Sequence, residues 1–129
     1  MTSFKFLAVP AAAAALIGAF GLISKGEAQT VAAPPPAFMQ CKVCHATVAN
    51  APRGMGPNLY GIVGATAGKR PGFTFSPALA NSGLKWDRAN LEAFITNPRT
   101  KVPGNRMAYA GMANPAQRKA VLDYLQTLK

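Results

Sequence analysis

Apolar positions recur at helical spacing in three stretches of the chain, separated by a long tract rich in turn residues. Near the C-terminus Val121, Tyr124, Leu125 and Leu128 repeat at intervals of three and four, the stripe of a helix with one buried face. Asn114-Pro115 ahead of them supplies a capping side chain and a proline at the first helical position. A second helix is expected from Arg88 to about Thr96, capped by Asp87, with Leu91, Phe94 and Ile95 on one side and Asn97-Pro98 ending it. A third, short helix is expected to start near Pro36 and to carry Phe38, Met39, Cys41, Cys44 and His45. Between them, residues 51–77 hold six glycines and four prolines, which predicts loops and turns. A loop of that length inside a compact domain needs something to wrap around. No run of alternating residues is long enough for a sheet. The pattern predicts an all-α fold of short helices and long loops.

The first residues follow a different pattern. Lys5 precedes a charge-free run from Phe6 to Ser24, and Gly26-Glu27-Ala28 places small residues three and one positions before a possible cut. A positive start, an apolar middle and a small-residue cleavage site make 1–28 a signal peptide, so the rest of the chain is expected to be exported. The run just reaches the length of a spanning helix, which leaves an uncleaved membrane anchor as the alternative. Residues 29–36 read as an Ala/Pro tether, because three consecutive prolines cannot sit inside a helix. The folded domain is then expected over 37–129.

Composition narrows the function. The chain has 129 residues, a formal charge of +10 and only four acidic residues, which disfavours a hydrolase built on paired carboxylates. There is neither a dinucleotide fingerprint nor a phosphate loop of the Walker type. The basic residues are dispersed, never more than two together, so no nucleic-acid partner is expected. Two cysteines cannot form the multi-bridge framework of a small secreted scaffold.

Those two cysteines carry the strongest chemical signal. Cys41-Lys42-Val43-Cys44-His45 gathers both cysteines and the sole histidine into five residues. The pattern C-x-x-C-H is an attachment site for a c-type haem. Two thiols three apart on a helical turn reach the two vinyl groups of one porphyrin, and the adjacent imidazole then lies under the iron. A thioredoxin-like dithiol would want a βαβ context, and a zinc site would want a fourth ligand; neither is present in the sequence. One covalently attached haem c per chain is therefore expected.

With these residues in view the chain resembles the class I cytochromes c. Gly56-Pro57-Asn58-Leu59-Tyr60-Gly61 is similar to the family's GPNL-x-G loop, with twelve residues from His45 to Pro57. Pro71-Gly72-Phe73 and Trp86 follow in order, and Asn97-Pro98-Arg99 leads into Val102–Gly111, similar to the family's NPK…IPGTKM-x-FAG stretch. The likeness runs from Phe38 to Leu128 and implies the cytochrome c fold, short helices and long loops wrapped around the haem. It implies that Met107 is the second iron ligand beside His45, a soft thioether that favours ferrous iron and raises the reduction potential. It implies further that the Pro57 carbonyl orients His45 and that the Trp86 indole reaches a haem propionate. Phe38, Val121 and Tyr124 resemble the family's helix-crossing contacts, and Met39, Met55 and Met112 are expected to fill the core.

Four positions depart from the family pattern. Ala65 stands where an arginine often lies near a propionate, and Phe75 and Phe94 stand where tyrosines are frequent. Loss of that cation and two hydroxyls is expected to favour the ferric state. Pro34 replaces a glycine usual at the helix crossing and is expected to shorten the first helix.

The resemblance implies a monohaem c-type cytochrome that carries single electrons between respiratory or dehydrogenase partners at the outer face of the cytoplasmic membrane. It is expected to be a periplasmic monomer with no substrate of its own, meeting the membrane only through partners or through an uncleaved anchor. Lys42, Lys69, Arg70, Arg99, Lys101 and Arg106 flank the segments that should frame the haem edge. Together they point to acidic redox partners, such as a cytochrome bc-type complex, an oxidase or a periplasmic dehydrogenase. The competing readings are a haem peroxidase or ligand sensor in which Met107 leaves the iron, and a fixed electron-transfer subunit of a larger complex.

Overall fold

Asn114 starts the longest helix as its sequence requires: the side-chain oxygen accepts from the backbone N–H groups of Ala116 (2.9 Å) and Gln117 (3.1 Å). The computed structural model describes residues 32–129, so the expected signal or anchor over 1–28 and the first part of the tether lie outside the described residues. Pro36–Phe38 forms a 3₁₀ turn that runs directly into α1 (Met39–Lys42). The remaining helices are α2 (Pro77–Ala80), α3 (Arg88–Thr96), α4 (Pro98–Lys101) and α5 (Pro115–Thr127). The described residues contain no strand, only an isolated antiparallel bridge between Thr66 and Lys85.

The core forms where the N-terminal turn and α3 pack against α5. Val121, Leu122, Tyr124 and Leu125 are buried along α5, with Leu128 buried just beyond it. Phe38 is fully buried and meets Tyr124 edge-on, ring centroids 4.6 Å apart at 61°. On α3 the buried side chains are Leu91 and Phe94, and Phe94 packs on Trp86 at 4.9 Å. Two polar links brace these helices at the surface. Arg88 of α3 pairs with Asp123 of α5 at 2.8 Å, and Arg118 of α5 lies 3.7 Å from Glu92 of α3.

Several local expectations are corrected. The first helix does not carry Cys44 and His45: it stops at Lys42, and the N–H groups of Cys44 and His45 both return to the Cys41 carbonyl, closing a turn. Its start is as expected: Pro36 opens the 3₁₀ turn, where its missing N–H costs no hydrogen bond. Asn97-Pro98 ends α3 and also opens α4, the Asn97 side chain accepting from Thr100 N–H. Ser76-Pro77 opens α2 in the same way, at the very end of the 51–77 tract expected to be loop. Of the three methionines expected in the core, Met112 is buried but Met39 and Met55 are 54% and 74% exposed.

The loops are held by close backbone contacts. Gly64 N–H donates to the Trp86 carbonyl, and Trp86 N–H donates to Ala65, so both sides of the Thr66–Lys85 bridge fix the position of Trp86. Gly68 adopts φ +70° and approaches α2 so closely that a Cβ would lie 2.5 Å from the Ala80 Cα. Only glycine satisfies both conditions there.

Candidate functional site

His45 is fixed from two directions. Its Nδ1 lies 2.7 Å from the Pro57 carbonyl. A carbonyl oxygen only accepts, so Nδ1 carries the proton and Nε2 keeps its lone pair. Burial lowers the imidazole pKa, while the hydrogen bond to Pro57 acts in the opposite sense. The neutral ring is the form that ligates a metal. The loop that brings Pro57 there is laced to the attachment segment, with Gly56 N–H on the Cys44 carbonyl and Leu59 N–H on Ala46. A Cβ on Gly56 would stand 2.5 Å from His45 Cε1. The glycine is therefore needed for the loop to lie against the ring.

Met107 is positioned by a residue that the sequence pattern did not single out. The Asn105 amide donates to the carbonyls of Pro98 and Val102, both at 2.8 Å, and its oxygen accepts from Met107 N–H at 2.9 Å. Arg106 then straps this segment to the opposite loop by donating to the Thr74 and Phe75 carbonyls. An Asn followed two residues later by the candidate ligand is a local turn signal that could have been read from the sequence.

Cys41, Cys44, His45, Pro57, Trp86 and Met107 all line one cavity of about 770 Å³, within the range of sites that hold a cofactor. The rest of the wall is largely apolar, including Phe75, Phe94, Leu91 and Leu125, and Ala65 also faces the space. Burial pushes the Cys41 thiol up to about 11, with Cys44 adding to the rise. A thioether has no proton to lose, so attachment to a porphyrin removes that penalty. The chemistry of the donor set, the cavity's size and its apolar lining all fit haem c.

The six residues selected from sequence are thus brought to one wall-lined space. Of the basic residues expected to frame it, Lys69, Arg70 and Arg106 line the cavity, whereas Lys42, Arg99 and Lys101 do not. Among the described residues no group of three or more His, Cys, Asp or Glu side chains forms a separate metal site. No helix of the described residues is long and apolar enough to cross a membrane.

An all-α fold wrapped around such a cavity, with a C-x-x-C-H turn in its wall, is the architecture of a small c-type haem protein. The family model described as cytochrome c matches residues 32–129. Cytochrome c2 of Rhodomicrobium vannielii is 46% identical over 90 residues, covering 70% of this chain and 72% of that one. Cytochrome c2 iso-2 of Magnetospirillum molischianum is 45% identical over 95 residues, covering 74% and 97%. The solved structure of cytochrome cH from Methylobacterium extorquens superposes with a TM-score of 0.67 at 42% identity, covering 70% of this chain and 91% of that one. The chain belongs to the cytochrome c family, and it is a monohaem electron carrier with covalently bound haem c.

Proposed function

We propose that the protein shuttles single electrons between redox partners in the periplasm, at the outer face of the cytoplasmic membrane, after export directed by residues 1–28. Haem c, when bound, supplies a one-electron ferric/ferrous couple in an apolar, largely water-excluded setting. Cys41 and Cys44 would hold it through thioethers, and His45 and Met107 would ligate its iron. The Pro57 carbonyl holds the His45 ring with Nε2 free to ligate, and Asn105 holds the Met107 backbone in register. Trp86, which lines the cavity, would offer its indole N–H to a propionate. With His45 and Met107 both serving as ligands, no iron site would be left for a substrate, and the chain would act as a carrier. Its partners are acidic surfaces of a cytochrome bc-type complex, an oxidase or a periplasmic dehydrogenase, which it meets as a monomer.

The observation that carries this reading is that His45 and Met107, remote in sequence, line the same cavity as both cysteines. Each is held by a hydrogen bond, His45 Nδ1 to the Pro57 carbonyl and Met107 N–H to the Asn105 side chain. The test is ligand binding to the purified holoprotein. Ferric wild type should bind cyanide or imidazole slowly and weakly, whereas Met107→Ala should bind either at once, with a large change in the visible spectrum. Rapid binding to wild type would instead support a peroxidase or ligand sensor.

A further inference from the structure

The GPNL-x-G pattern of the loop beside His45 leaves one position open, and this chain places Tyr60 there. The loop has two sides. On one it is bound to the attachment segment. Gly56 N–H donates to the Cys44 carbonyl at 2.9 Å, Leu59 N–H to Ala46 at 2.8 Å, and the Asn58 amide to Val48 at 2.8 Å. These acceptors flank His45 in the same stretch of chain, so they hold loop and histidine together as one unit. On the other side the unit meets the end of α5. Gly61 N–H donates to the Leu128 carbonyl at 2.6 Å, and the Tyr60 hydroxyl donates to the Lys129 carbonyl. Leu128 is only 1% exposed, which makes it a fixed point of the core. Tyr60 is half-buried and packs against that core, with its own N–H held by Asn58 Oδ1 at 2.9 Å. Among the described residues, no other side chain is hydrogen-bonded to Leu128 or Lys129.

These contacts close a circuit. Tyr124 of α5 packs on Phe38, which leads through α1 to Cys41 and the turn that carries His45. His45 Nδ1 reaches the Pro57 carbonyl at 2.7 Å, and the loop returns through Tyr60 and Gly61 to the end of α5. A ligand's orientation depends on such outer contacts, because they decide how far its hydrogen-bond partner can drift. The Tyr60 hydroxyl is the side-chain link of the circuit that can be removed without touching His45, Pro57 or the cavity, whose lining does not include Tyr60.

We propose that Tyr60 is a positioning residue for His45: its clasp on the end of α5 holds the Pro57 carbonyl in line with Nδ1 and so sets the donor strength of the imidazole. The inference rests on His45 serving as a haem-iron ligand. An imidazole whose Nδ1–H is held on a carbonyl is the more basic ligand, and a stronger donor favours ferric iron. Loosening the clasp therefore weakens the donor and raises the reduction potential.

The experiment compares the holoproteins of wild type, Tyr60→Phe and Thr127→Val. Thr127→Val is the control: it removes a hydroxyl that donates to the Tyr124 carbonyl at 2.7 Å, at the same end of α5 but without a hydrogen bond to the loop. Proton NMR of the ferrous protein reads the exchange of His45 Nδ1–H, and a redox titration reads the midpoint potential. Tyr60→Phe should speed that exchange roughly three- to tenfold, the effect of one lost hydrogen bond. It should also shift the redox equilibrium towards the ferrous form two- to fivefold, about 18–41 mV for a one-electron couple. Thr127→Val should leave both quantities at their wild-type values. A wild-type value of either quantity in Tyr60→Phe, or the same two changes in Thr127→Val, would overturn the proposal. If Tyr60→Phe does not accumulate as holoprotein, wild type decides. His45 Nδ1–H and Gly61 N–H should then exchange through one shared opening, with protection within about tenfold of each other, and a wider gap would overturn the proposal. The visible spectrum of wild type tests haem attachment separately, so failure of the haem assignment is distinguished from failure of the Tyr60 clasp.

Discussion

His45 Nδ1 donates to the Pro57 carbonyl at 2.7 Å across a separation of twelve residues. Proline suits that position because it offers a carbonyl without an N–H and fixes the direction of the loop. The contact depends on its neighbour. Gly56 is buried, and its N–H is bound to Cys44, which leaves the loop no slack.

Gly56→Ala should therefore act on the ring and on stability together. Its Cβ would be 2.5 Å from His45 Cε1 and 2.7 Å from Nδ1, so either the imidazole or the loop must move. Overpacking of this kind costs about 1–3 kcal/mol. Denaturant unfolding of the holoprotein should show that loss, accompanied by a perturbed visible spectrum. Wild-type stability and spectrum in this variant would mean that the loop yields freely.

Phe38→Ala probes the contact that closes the core. The ring is fully buried, packs edge-on against Tyr124 and also lines the haem cavity. Removing a buried phenyl ring costs about 3–5 kcal/mol, a large share of the stability of a domain this size. The guanidinium midpoint should fall accordingly. A loss below about 1 kcal/mol would show that α5 collapses into the gap.

Asp123 gives a pH dependence whose direction can be stated. Its carboxyl is held below the usual Asp range by hydrogen bonds from Lys119 and then Arg88. A depressed folded-state value contributes stability above the unfolded value, and that contribution is lost as pH falls through the folded one. The pair links α3 to α5 but is solvent-exposed, so the effect is small. Asp123→Asn should be slightly less stable than wild type at pH 7 and converge with it in acid. A difference that stays constant down to the acid transition would assign the effect to packing.

The parts of the fold that were legible in the sequence are those where one local rule decides. Asp87 and Asn114 cap α3 and α5 because their side chains have nearer backbone donors than water. The stripe on α5 is buried because it has one apolar face. The site was legible for a different reason: C-x-x-C-H fixes its chemistry by spacing alone. Less legible were features set by tertiary packing. The first helix ends before Cys44 because a turn satisfies the Cys44 and His45 N–H groups on the Cys41 carbonyl, while the Cys44 carbonyl accepts from Gly56 N–H of the following loop. The strap from Arg106 to the Thr74 and Phe75 carbonyls joins segments more than thirty residues apart and leaves no local pattern. Ser76-Pro77 and Asn97-Pro98 carried the same capping sign as Asn114-Pro115, but four-residue helices leave no periodic stripe to confirm it.

The surface around the attachment turn sets the expectation for partner docking. Lys42, Lys69, Arg99 and Arg106 are exposed, while Lys101 is half-buried and Arg70 faces inward at Nε. Val43 and Met39, beside Cys41 and Cys44, are 74% and 54% exposed. Apolar contact ringed by cations suits an acidic partner that binds briefly, with charge steering the encounter and the apolar centre setting its lifetime. Electron transfer to such a partner should slow steadily as ionic strength rises to about 0.15 M, where screening acts over about 8 Å. Lys42→Gln should lower the second-order rate roughly twofold or more at low salt and have little effect at high salt. Stopped-flow measurements across that range check both expectations. A rate independent of salt, or a Lys42→Gln deficit that persists at high salt, would mean that docking relies on packing at Val43 and Met39 without electrostatic steering.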